Sequence, residues 1–400
     1  MPRPKDLPVA LQAWATGNYS AGPSWGLTPQ RSAPGASFLT PNVTLPAEVA
    51  NYLHGNAFDA VTGIGAYLCQ LPALNWTPGA AIAFDDIVWN GPRRTWFAVG
   101  NGLGTAKIAR ESFSYGQGFA ADVLGGLGGA SGTLRIAVDA AGNMVVTTAT
   151  SVVYEYNFAT VTWTYQSAAF SMAPAVGDAY AVVHDGTRWV AYTTDVANRQ
   201  LRSSTDRATW TNRTTTIASS AIYTMSKARL ATNGAGRVVS CAVIGSTGAT
   251  EFLASTDGFA TLVGGTYSSL AHGFTSLLAQ SLTYNAASGL FIFTCASSSA
   301  TKVYTSTDGL SWTLVTTLAT GRIQRIVTLG ELWLAFVGVG SAQLALSVDR
   351  GVTWRTVGWW PDAFPTPTAL ASSGDQFLMT TTAGPAFYTT KTGIGGDVLT

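Results

Sequence analysis

The sequence predicts an all-β protein, and three observations support that class. The 400 residues include 43 glycines and 13 tryptophans among many Thr, Val and Ala residues, a composition that favours strands and turns over helices. Charged residues make up only 11% of the chain, less than half of the roughly 25% usual in globular domains, so uncharged polar residues must keep it soluble. The third observation is an internal repeat, in which a turn precedes a strand that opens on a large apolar residue.

The repeat occurs seven times, at intervals of about 47 residues. One apolar residue marks each copy, and the markers are Trp96, Met144, Trp189, Val238, Phe291, Trp333 and Phe377. In each copy a strand precedes the turn and another follows the marker strand, and most copies end on a short strand with a tryptophan. Four strands at this period are typical of one propeller blade. The sequence therefore predicts a seven-bladed β-propeller over residues 70–400.

The seventh copy predicts how the ring closes. It ends near Thr390 without a tryptophan strand, whereas an isolated Asn75-Trp76-Thr77 lies just ahead of the first copy. An N-terminal strand near Leu74–Thr77 is therefore expected to complete the last blade and to bring Trp76 close to Phe387. Such closure removes the exposed sheet edge that a linear array would leave.

A motif recurs between the third and fourth strands of four copies. Residues 347–354 match S-x-D-x-G-x-T-W at every fixed position, and shorter or altered versions begin at Ser204, Ser255 and Ser306. The aspartate can accept hydrogen bonds from turn amides, glycine permits positive φ, and the aromatic ring can pack between blades. The predicted structural residues are Asp206, Asp257, Asp308 and Asp349, with Trp210, Trp312 and Trp354. The motif resembles the Asp-box of sialidases, photosystem assembly factors and many phage or secreted proteins, a resemblance that implies the fold and not a reaction.

The first 69 residues are predicted to form an anchoring arm. Residues 1–45 are rich in Pro, Gly, Ser and Thr and show no period, and a capped amphipathic pattern follows at about residues 46–60, which predicts one short helix. The segment resembles the irregular N-termini of tailed-phage fibres and spikes, which dock on the particle while a larger domain projects. This resemblance implies contacts with other virion proteins through residues 1–65. The candidate anchoring residues are Trp14, Trp25, Glu48 and Tyr52.

Aligning the first strands brings Asp86, Arg135, Arg229 and Arg325 to the predicted channel mouth. Three arginines in alternate blades can make charge-assisted bonds to a carboxylate. Sialidases bind their substrate carboxylate with three such arginines, but the Tyr nucleophile, its Glu partner and the acid/base Asp of that family cannot be assigned here. The arginines therefore have three interpretations: a structural role satisfied by Asp86, water and carbonyls, anion binding without catalysis, or hydrolysis.

Charge and motif content exclude several function classes. A net charge of +1 gives no broad field for nucleic acid or acidic membranes, and three His and three Cys show no zinc spacing, so no metal, cofactor or catalytic residue is predicted. The first residues lack the apolar run of a signal peptide, and no apolar stretch of about 18 residues occurs, so neither a signal peptide nor a membrane span is expected.

These observations predict a non-enzymatic phage virion protein of the tail or head-tail region, synthesised in the host cytoplasm and oligomeric in the particle. Its propeller would project and adhere, with a host-surface glycan as a further partner. The alternatives are a sialidase-like glycoside hydrolase or glycan-binding secreted propeller, and a cellular assembly factor of the Asp-box type.

Overall fold

The computed structural model describes most of the chain beyond residue 55, and in it every regular element is a β-strand. The described ranges are 56–59, 64–70, 83–101, 107–112, 134–148, 153–157, 162–165, 181–194, 199–213, 229–244, 249–259, 267–274, 279–297, 300–318, 323–330, 332–337, 343–347, 349–356, 367–373, 376–381 and 384–394. The protein is therefore all-β, as the composition predicts.

The described strands form seven antiparallel sheets, six of which follow chain order. The first sheet contains β3 (Ala83–Asn90), β4 (Thr95–Asn101) and β5 (Lys107–Ser112). The second contains β6 (Leu134–Val138), β7 (Met144–Thr148), β8 (Val153–Asn157) and β9 (Thr162–Tyr165). The third contains β10 (Ala181–His184), β11 (Trp189–Thr194), β12 (Arg199–Ser204) and β13 (Thr211–Asn212).

The remaining sheets continue the pattern until the last, which also takes strands from the N-terminal side. The fourth contains β14 (Arg229–Thr232), β15 (Val238–Ile244), β16 (Ala249–Ser255) and β17 (Tyr267–Ala271). The fifth contains β18 (Ala279–Asn285), β19 (Leu290–Ala296), β20 (Thr301–Ser306) and β21 (Thr313–Leu318). The sixth contains β22 (Ile323–Leu329), β23 (Leu332–Val337), β24 (Gln343–Ser347) and β25 (Arg355–Thr356). The seventh contains β1 (Asn56–Asp59), β2 (Ile64–Gln70), β28 (Gly384–Ile394), β27 (Gln376–Thr381) and β26 (Pro367–Ser372), in that order.

All seven apolar markers lie on the second strand of a sheet, counted from the axis. Every residue of β23 is buried, whereas β21, the fourth strand of its sheet, is partly or fully exposed along its length. Second strands are buried on both faces because each sheet packs against two neighbours, and they therefore read as continuous apolar runs rather than alternating ones. The hydrophobic clusters lie between adjacent sheets, as in the cluster that joins Phe97 of β4 to Met144 of β7.

The first strands of the sheets meet in a closed circle. Contacts join β3 to β6, β6 to β10, β10 to β14, β14 to β18, β18 to β22 and β22 to β26, and β26 returns to β3. Sheets arranged in this way around a common axis form a β-propeller. Every first strand therefore faces the axis.

An N-terminal strand completes the last sheet, as predicted, but the predicted residues were wrong. Strand β2 pairs with β28, with Gln70 opposite Phe387, and β1 adds an outermost strand. Residues 71–82, which include Trp76, lie outside the described residues. The prediction relied on the tryptophan that ends other copies, but ladder hydrogen bonds come from the backbone and do not need that side chain.

Two further predictions for the N-terminal segment need correction. Strand β1 occupies residues 56–59, which had been placed in the helix of about 46–60, because pairing with β2 outweighs a weak local helix preference. The boundary between arm and propeller, predicted after residue 69, falls inside β2, so residues 56–70 belong to the closing sheet. The rest of the predicted helix lies outside the described residues, as do Trp14, Trp25, Glu48 and Tyr52.

Candidate functional site

A cavity of about 350 Å³ lies on the axis and is lined by residues from all seven first strands. Its polar lining includes the four residues singled out from the sequence, Asp86, Arg135, Arg229 and Arg325. The structure thus brings together side chains that are up to 239 positions apart in the chain. We refer to this space as the channel cavity.

Strand alternation explains why polar side chains reach the channel cavity from an apolar ring. In β6, Leu134 and Ile136 are buried while Arg135 between them is only partly buried. Successive side chains point to opposite faces of a strand, so the arginine faces the axis and its neighbours pack between sheets. Arg229 and Arg325 likewise precede the buried residues Leu230 and Ile326 on their strands.

Asp86 ties three first strands together. Its Oδ1 accepts a hydrogen bond from Arg325 Nη2 at 3.2 Å, and its Oδ2 accepts one from the Ile136 amide at 3.2 Å. Strand β26 lies between β22 and β3 in the circle, so the Arg325 side chain reaches past it to Asp86. The ion pair is largely shielded, with 27% of the arginine and 15% of the aspartate side chain exposed.

The other two arginines sit in different surroundings. Arg135 Nη1 donates to the carbonyl oxygens of Asp85, at 3.1 Å, and Leu134, at 2.9 Å. Burial, and then the positive charges of Arg135 and Arg325, lower the pKa of Arg229 to about 10. The Arg229 guanidinium therefore remains protonated at neutral pH, and the positive charges of Arg135 and Arg325 repel it across the channel cavity.

The described lining carries an excess of positive charge. Three arginines face one carboxylate, Asp86, and hydroxyl groups of Ser281, Thr283, Thr328 and Ser372 surround them. The Ser281 hydroxyl accepts a hydrogen bond from the Ile326 amide at 3.3 Å, just as Asp86 accepts one from the Ile136 amide. Chemically, this arrangement can hold an anion by charge-assisted hydrogen bonds.

Sequence reasoning missed Tyr284 and Thr328, which also line the channel cavity. Both lie near the ends of their first strands, away from the aligned position that revealed the arginines. Alternation from Arg325 reaches Val327 and not Thr328, so a search restricted to axis-facing positions would have missed Thr328 as well. The sequence pattern indicates a core aromatic residue at Tyr284. In the structure its ring also contacts Phe291, with ring centroids 4.9 Å apart.

The four Ser-x-Asp turns, which begin at Ser204, Ser255, Ser306 and Ser347, lie away from the channel cavity, after the third strand of their sheets. In each turn the serine hydroxyl donates a hydrogen bond to the aspartate carboxylate at 2.8–2.9 Å. The same hydroxyl accepts a hydrogen bond from a backbone amide of the turn at 2.8 Å. Burial raises the pKa of Asp308, but hydrogen bonds from the turn, led by the Ser311 and Leu310 amides, outweigh it and hold the pKa at about 2. These carboxylates are committed to the turns.

The turn tryptophans pack between neighbouring sheets. The Trp312 ring centroid lies 4.5 Å from that of Phe252 in the preceding sheet and 5.8 Å from that of Phe293 in its own. Trp210 packs with Ala137 and Val145 of the preceding sheet, and Trp354 packs against a cluster that includes Ile292 of its preceding sheet. Each of the three rings therefore packs against residues of the preceding sheet.

Polar contacts also fasten the turns to the preceding sheet. Arg207 Nη2 lies 3.0 Å from Glu155 Oε1, and Arg237 Nη1 donates to the Asp308 carbonyl at 3.0 Å. Glu155, the one glutamate with tyrosine neighbours in the sequence, is therefore engaged on β8 rather than in the channel lining. Within the described ranges, His, Cys, Asp and Glu residues nowhere form a group suited to a metal ion. None of the described segments forms a helix with the length and hydrophobicity of a membrane span.

Comparison with known proteins shows a likeness at the level of fold. No protein-family model and no curated protein matches the sequence. A structure of YCF48 bound to D1 peptide is similar with a TM-score of 0.54 and 12% identity, over 82% of this chain and 97% of that one. YCF48 from Cyanidioschyzon merolae gives a TM-score of 0.54 and 14% identity, over 81% and 98%. A chain of the mitotic checkpoint complex gives 0.54 and 9%, over 79% and 96%. These neighbours are β-propellers, and at such identities the likeness concerns the fold alone.

Proposed function

We propose that this chain is a seven-bladed β-propeller of the Asp-box type that serves as a non-enzymatic structural and binding component of a phage virion. The ring would project and adhere, with a host-surface glycan as one partner, while the preceding residues dock on neighbouring virion proteins. The protein would be oligomeric in the particle. The assignment to a virion rests on the resemblance of the N-terminal segment to phage fibres and spikes.

The single observation that carries this proposal is the place where the N-terminal segment joins the ring. In the last sheet, β1 is the strand farthest from the axis and β26 the nearest. The preceding 55 residues therefore connect to the periphery of the ring. A partner can engage them there without entering the channel cavity, which suits an arm that docks while the ring remains free to bind.

The blade count and the Asp-box type are supported by geometry. Seven first strands close a circle of contacts, and four turns share the same serine and aspartate hydrogen bonds. Three of those turns have glycine at positive φ, with Gly309 at 79°, and Arg207 takes a similar conformation in the fourth. Four equivalent turns at the repeat period favour the Asp-box assignment over coincidence.

The non-enzymatic character is supported by the state of the channel carboxylate. Asp86, the one carboxylate in the described lining, already accepts bonds from Arg325 and the Ile136 amide. A carboxylate whose two oxygens already accept hydrogen bonds from neighbouring strands is poorly placed to exchange a proton with a bound ligand. The channel cavity is therefore better suited to binding than to hydrolysis.

Removal of the arm tests the proposal. A variant lacking residues 1–55 keeps every described strand, so we expect it to fold and remain soluble but to fail to enter particles. The measurement is mass spectrometry of purified particles from cells that supply either the full chain or the truncated chain. Incorporation of the truncated chain at the full-length level, or the absence of the full chain from any particle, would contradict the virion role.

A sialidase-like glycosidase is the second candidate, because Tyr284 shares the channel cavity with the three arginines. Such an enzyme would need a tyrosine nucleophile beside a glutamate, and the described lining contains no glutamate. A fluorogenic sialoside assay separates the two functions. We expect no turnover by the purified chain, whereas turnover that is lost on Tyr284→Phe would establish the glycosidase.

A further inference from the structure

We propose that the arm of one copy of this chain, residues 1–55, adds a strand to the outer edge of the fifth sheet in a neighbouring copy. The donated segment is residues 39–45, and the receiving edge is β21, Thr313–Leu318. Addition of a strand to an open sheet edge is a general mode of recognition, in which main-chain hydrogen bonds supply the affinity. The inference deepens the proposed function, because it names one partner of the arm.

Strand β21 is a sheet edge without most of the usual protection. Proteins protect edge strands by keeping them short or by placing charged residues or proline on them. β21 has six residues, against two each in β13 and β25, and no charged residue or proline occurs between Asp308 and Arg322. One protective feature is present, a bulge that leaves Val315 without an opposite residue on β20.

The side chains of β21 are accessible to a partner. Leu314 is 49% exposed, and among the described residues only one other large apolar side chain, Val352 at 53%, is comparably exposed. Thr313 and Thr317 of the same strand are exposed as well. A strand added at this edge would cover Leu314, and removal of that apolar surface from water would favour binding.

The donated segment has the pattern of a half-buried strand, although residues 1–45 as a whole show no period. Apolar and polar side chains alternate in the order Leu39, Thr40, Pro41, Asn42, Val43, Thr44 and Leu45. Such alternation is typical of a strand with one buried face. Pro41 has no N–H, so it is tolerated where the even-numbered residues bond to β21 and the odd-numbered ones direct their backbone groups away.

The place where the arm joins the ring favours a neighbouring copy over the same chain. The arm joins at β1, the outermost strand of the seventh sheet, whereas β21 lies in the fifth. Only residues 46–55 connect the donated segment to β1, and they span at most about 35 Å when fully extended. Within one chain they would have to pass the whole sixth sheet. A second copy can bring its own β21 to the arm, so contacts would run head to tail.

Sedimentation equilibrium of the purified full chain tests the proposal. An interface of one short strand is small, so we expect dissociation on the order of 10–100 μM and, at about 200 μM, a mean mass well above that of one chain, 41.7 kDa. Leu314→Lys places a charge on the edge and should keep the chain monomeric. Val352→Lys is the matched control, since it changes the other exposed aliphatic residue and should associate like the wild type.

Two proline variants test the donated segment. Asn42→Pro removes an N–H that would bond to β21 and should abolish association, whereas Val43→Pro changes a residue whose N–H would point away and should weaken association less. A mixture of Asn42→Pro, which keeps the edge, with Leu314→Lys, which keeps the arm, should form a complex of two chains and nothing larger. Each of these variants alone should remain a monomer.

Several outcomes would overturn the proposal. They are a full chain that stays monomeric at about 200 μM, equal association of Leu314→Lys and the wild type, and a mixture of the two blocked variants that forms no complex. Association that survives Asn42→Pro but not Leu314→Lys would show that two β21 edges pair directly. Should Leu314→Lys fail to fold, Thr317→Lys repeats the test at another exposed position. The experiment contains no particle, so its failure would leave the virion role to the incorporation test.

Discussion

Gly309, in a Ser-x-Asp turn, is required for two reasons: its backbone conformation and its close contact with the preceding sheet. Its φ of 79° is a conformation that side chains with a Cβ adopt at a cost of about 1–2 kcal/mol. A Cβ at this position would also overlap the Val239 side chain on the second strand of the preceding sheet. The turn motif in the sequence reveals the first demand, but only the packed ring reveals the second.

Replacing this glycine should therefore cost more than turn strain alone. We expect Gly309→Ala to lower the free energy of unfolding by about 2–4 kcal/mol, the sum of the strain and of overpacking against Val239. The control is Gly289→Ala, which shares a positive φ of 69° but meets nothing within 4 Å and should cost only about 1–2 kcal/mol. Urea unfolding measures both, and equal losses would show that the contact with Val239 relaxes freely.

His272 is a fully buried histidine whose low pKa makes the stability of the protein depend on acidic pH. Its Nδ1 accepts the Phe274 amide at 3.1 Å, and Lys302 Nζ donates to its carbonyl oxygen at 2.6 Å. Burial, and then the positive charge of Lys302, lower the pKa of His272 to about 4, against a smaller raising effect of the Ala249 backbone. The folded protein thus holds this ring neutral where the unfolded chain would protonate it.

The pH dependence follows from that difference. Between pH 6.5 and about 4 the unfolded chain binds the His272 proton and the folded protein does not, so stability falls as pH falls through this window, by up to about 3 kcal/mol. His272→Asn keeps an acceptor near Nδ1 and cannot titrate. We therefore expect its unfolding free energy to vary less with pH than that of the wild type.

Unfolding in urea at pH 7, 5.5 and 4.5 measures this difference. His184, whose pKa is also lowered by burial, is present in both proteins and cancels in the comparison. The low pKa of Asp308 acts only in more acidic solution, below about pH 4. Parallel pH profiles for His272→Asn and the wild type would show that His272 is accessible to protons in the folded state.

At the scale of the element, strand β2 determines whether the ring is closed. It covers the edge of β28 over residues 64–70, and its removal would expose that edge to solvent and to pairing with other chains. The fourth strands that follow Trp210 and Trp354, β13 and β25, have two residues each, whereas β2 has seven. The closing pair is thus longer than these two internal pairs.

Truncation at two points tests this role. A variant lacking residues 1–55 should unfold near the wild-type midpoint, whereas one lacking residues 1–70 should lose at least about 5 °C and aggregate on heating, because its last sheet has an open edge. Thermal unfolding with light scattering measures both effects. Equal midpoints for the two truncations would show that β28 does not depend on β2.

At the scale of the whole molecule, apolar side chains pack between adjacent sheets and stabilise the ring, while polar side chains line the channel cavity. Each hydrophobic cluster takes residues from two adjacent sheets, such as Ile292 of β19 with Trp333 of β23. Two of the described ion pairs lie at such positions, since Arg325 pairs with Asp86 at the axis and Arg207 pairs with Glu155 between a turn and the preceding sheet.

The sequence by itself determined the all-β class, the second strand of every sheet and the axis-facing position of Asp86 and the three arginines. These features depend on local periodicity, because the alternation of apolar and polar residues and the turn residues can be recognised from neighbouring positions in the sequence. The same local reasoning placed a helix where β1 lies and set the boundary inside β2. Strand β1 is stabilised by β2, and β28, the other partner of β2, is more than 300 residues away in the chain.

Only the tertiary structure decided how the ring closes and what the channel cavity contains. Backbone pairing between β2 and β28 carries no side-chain signature, so the sequence could indicate an N-terminal closing strand but not its residues. Three features depend on distances across the ring. Arg325 reaches past β26 to bind Asp86, Tyr284 lines the channel cavity, and Arg325 Nη1 has no hydrogen-bond partner among the described residues. Those distances arise from the packing of all seven sheets together, which no single repeat encodes.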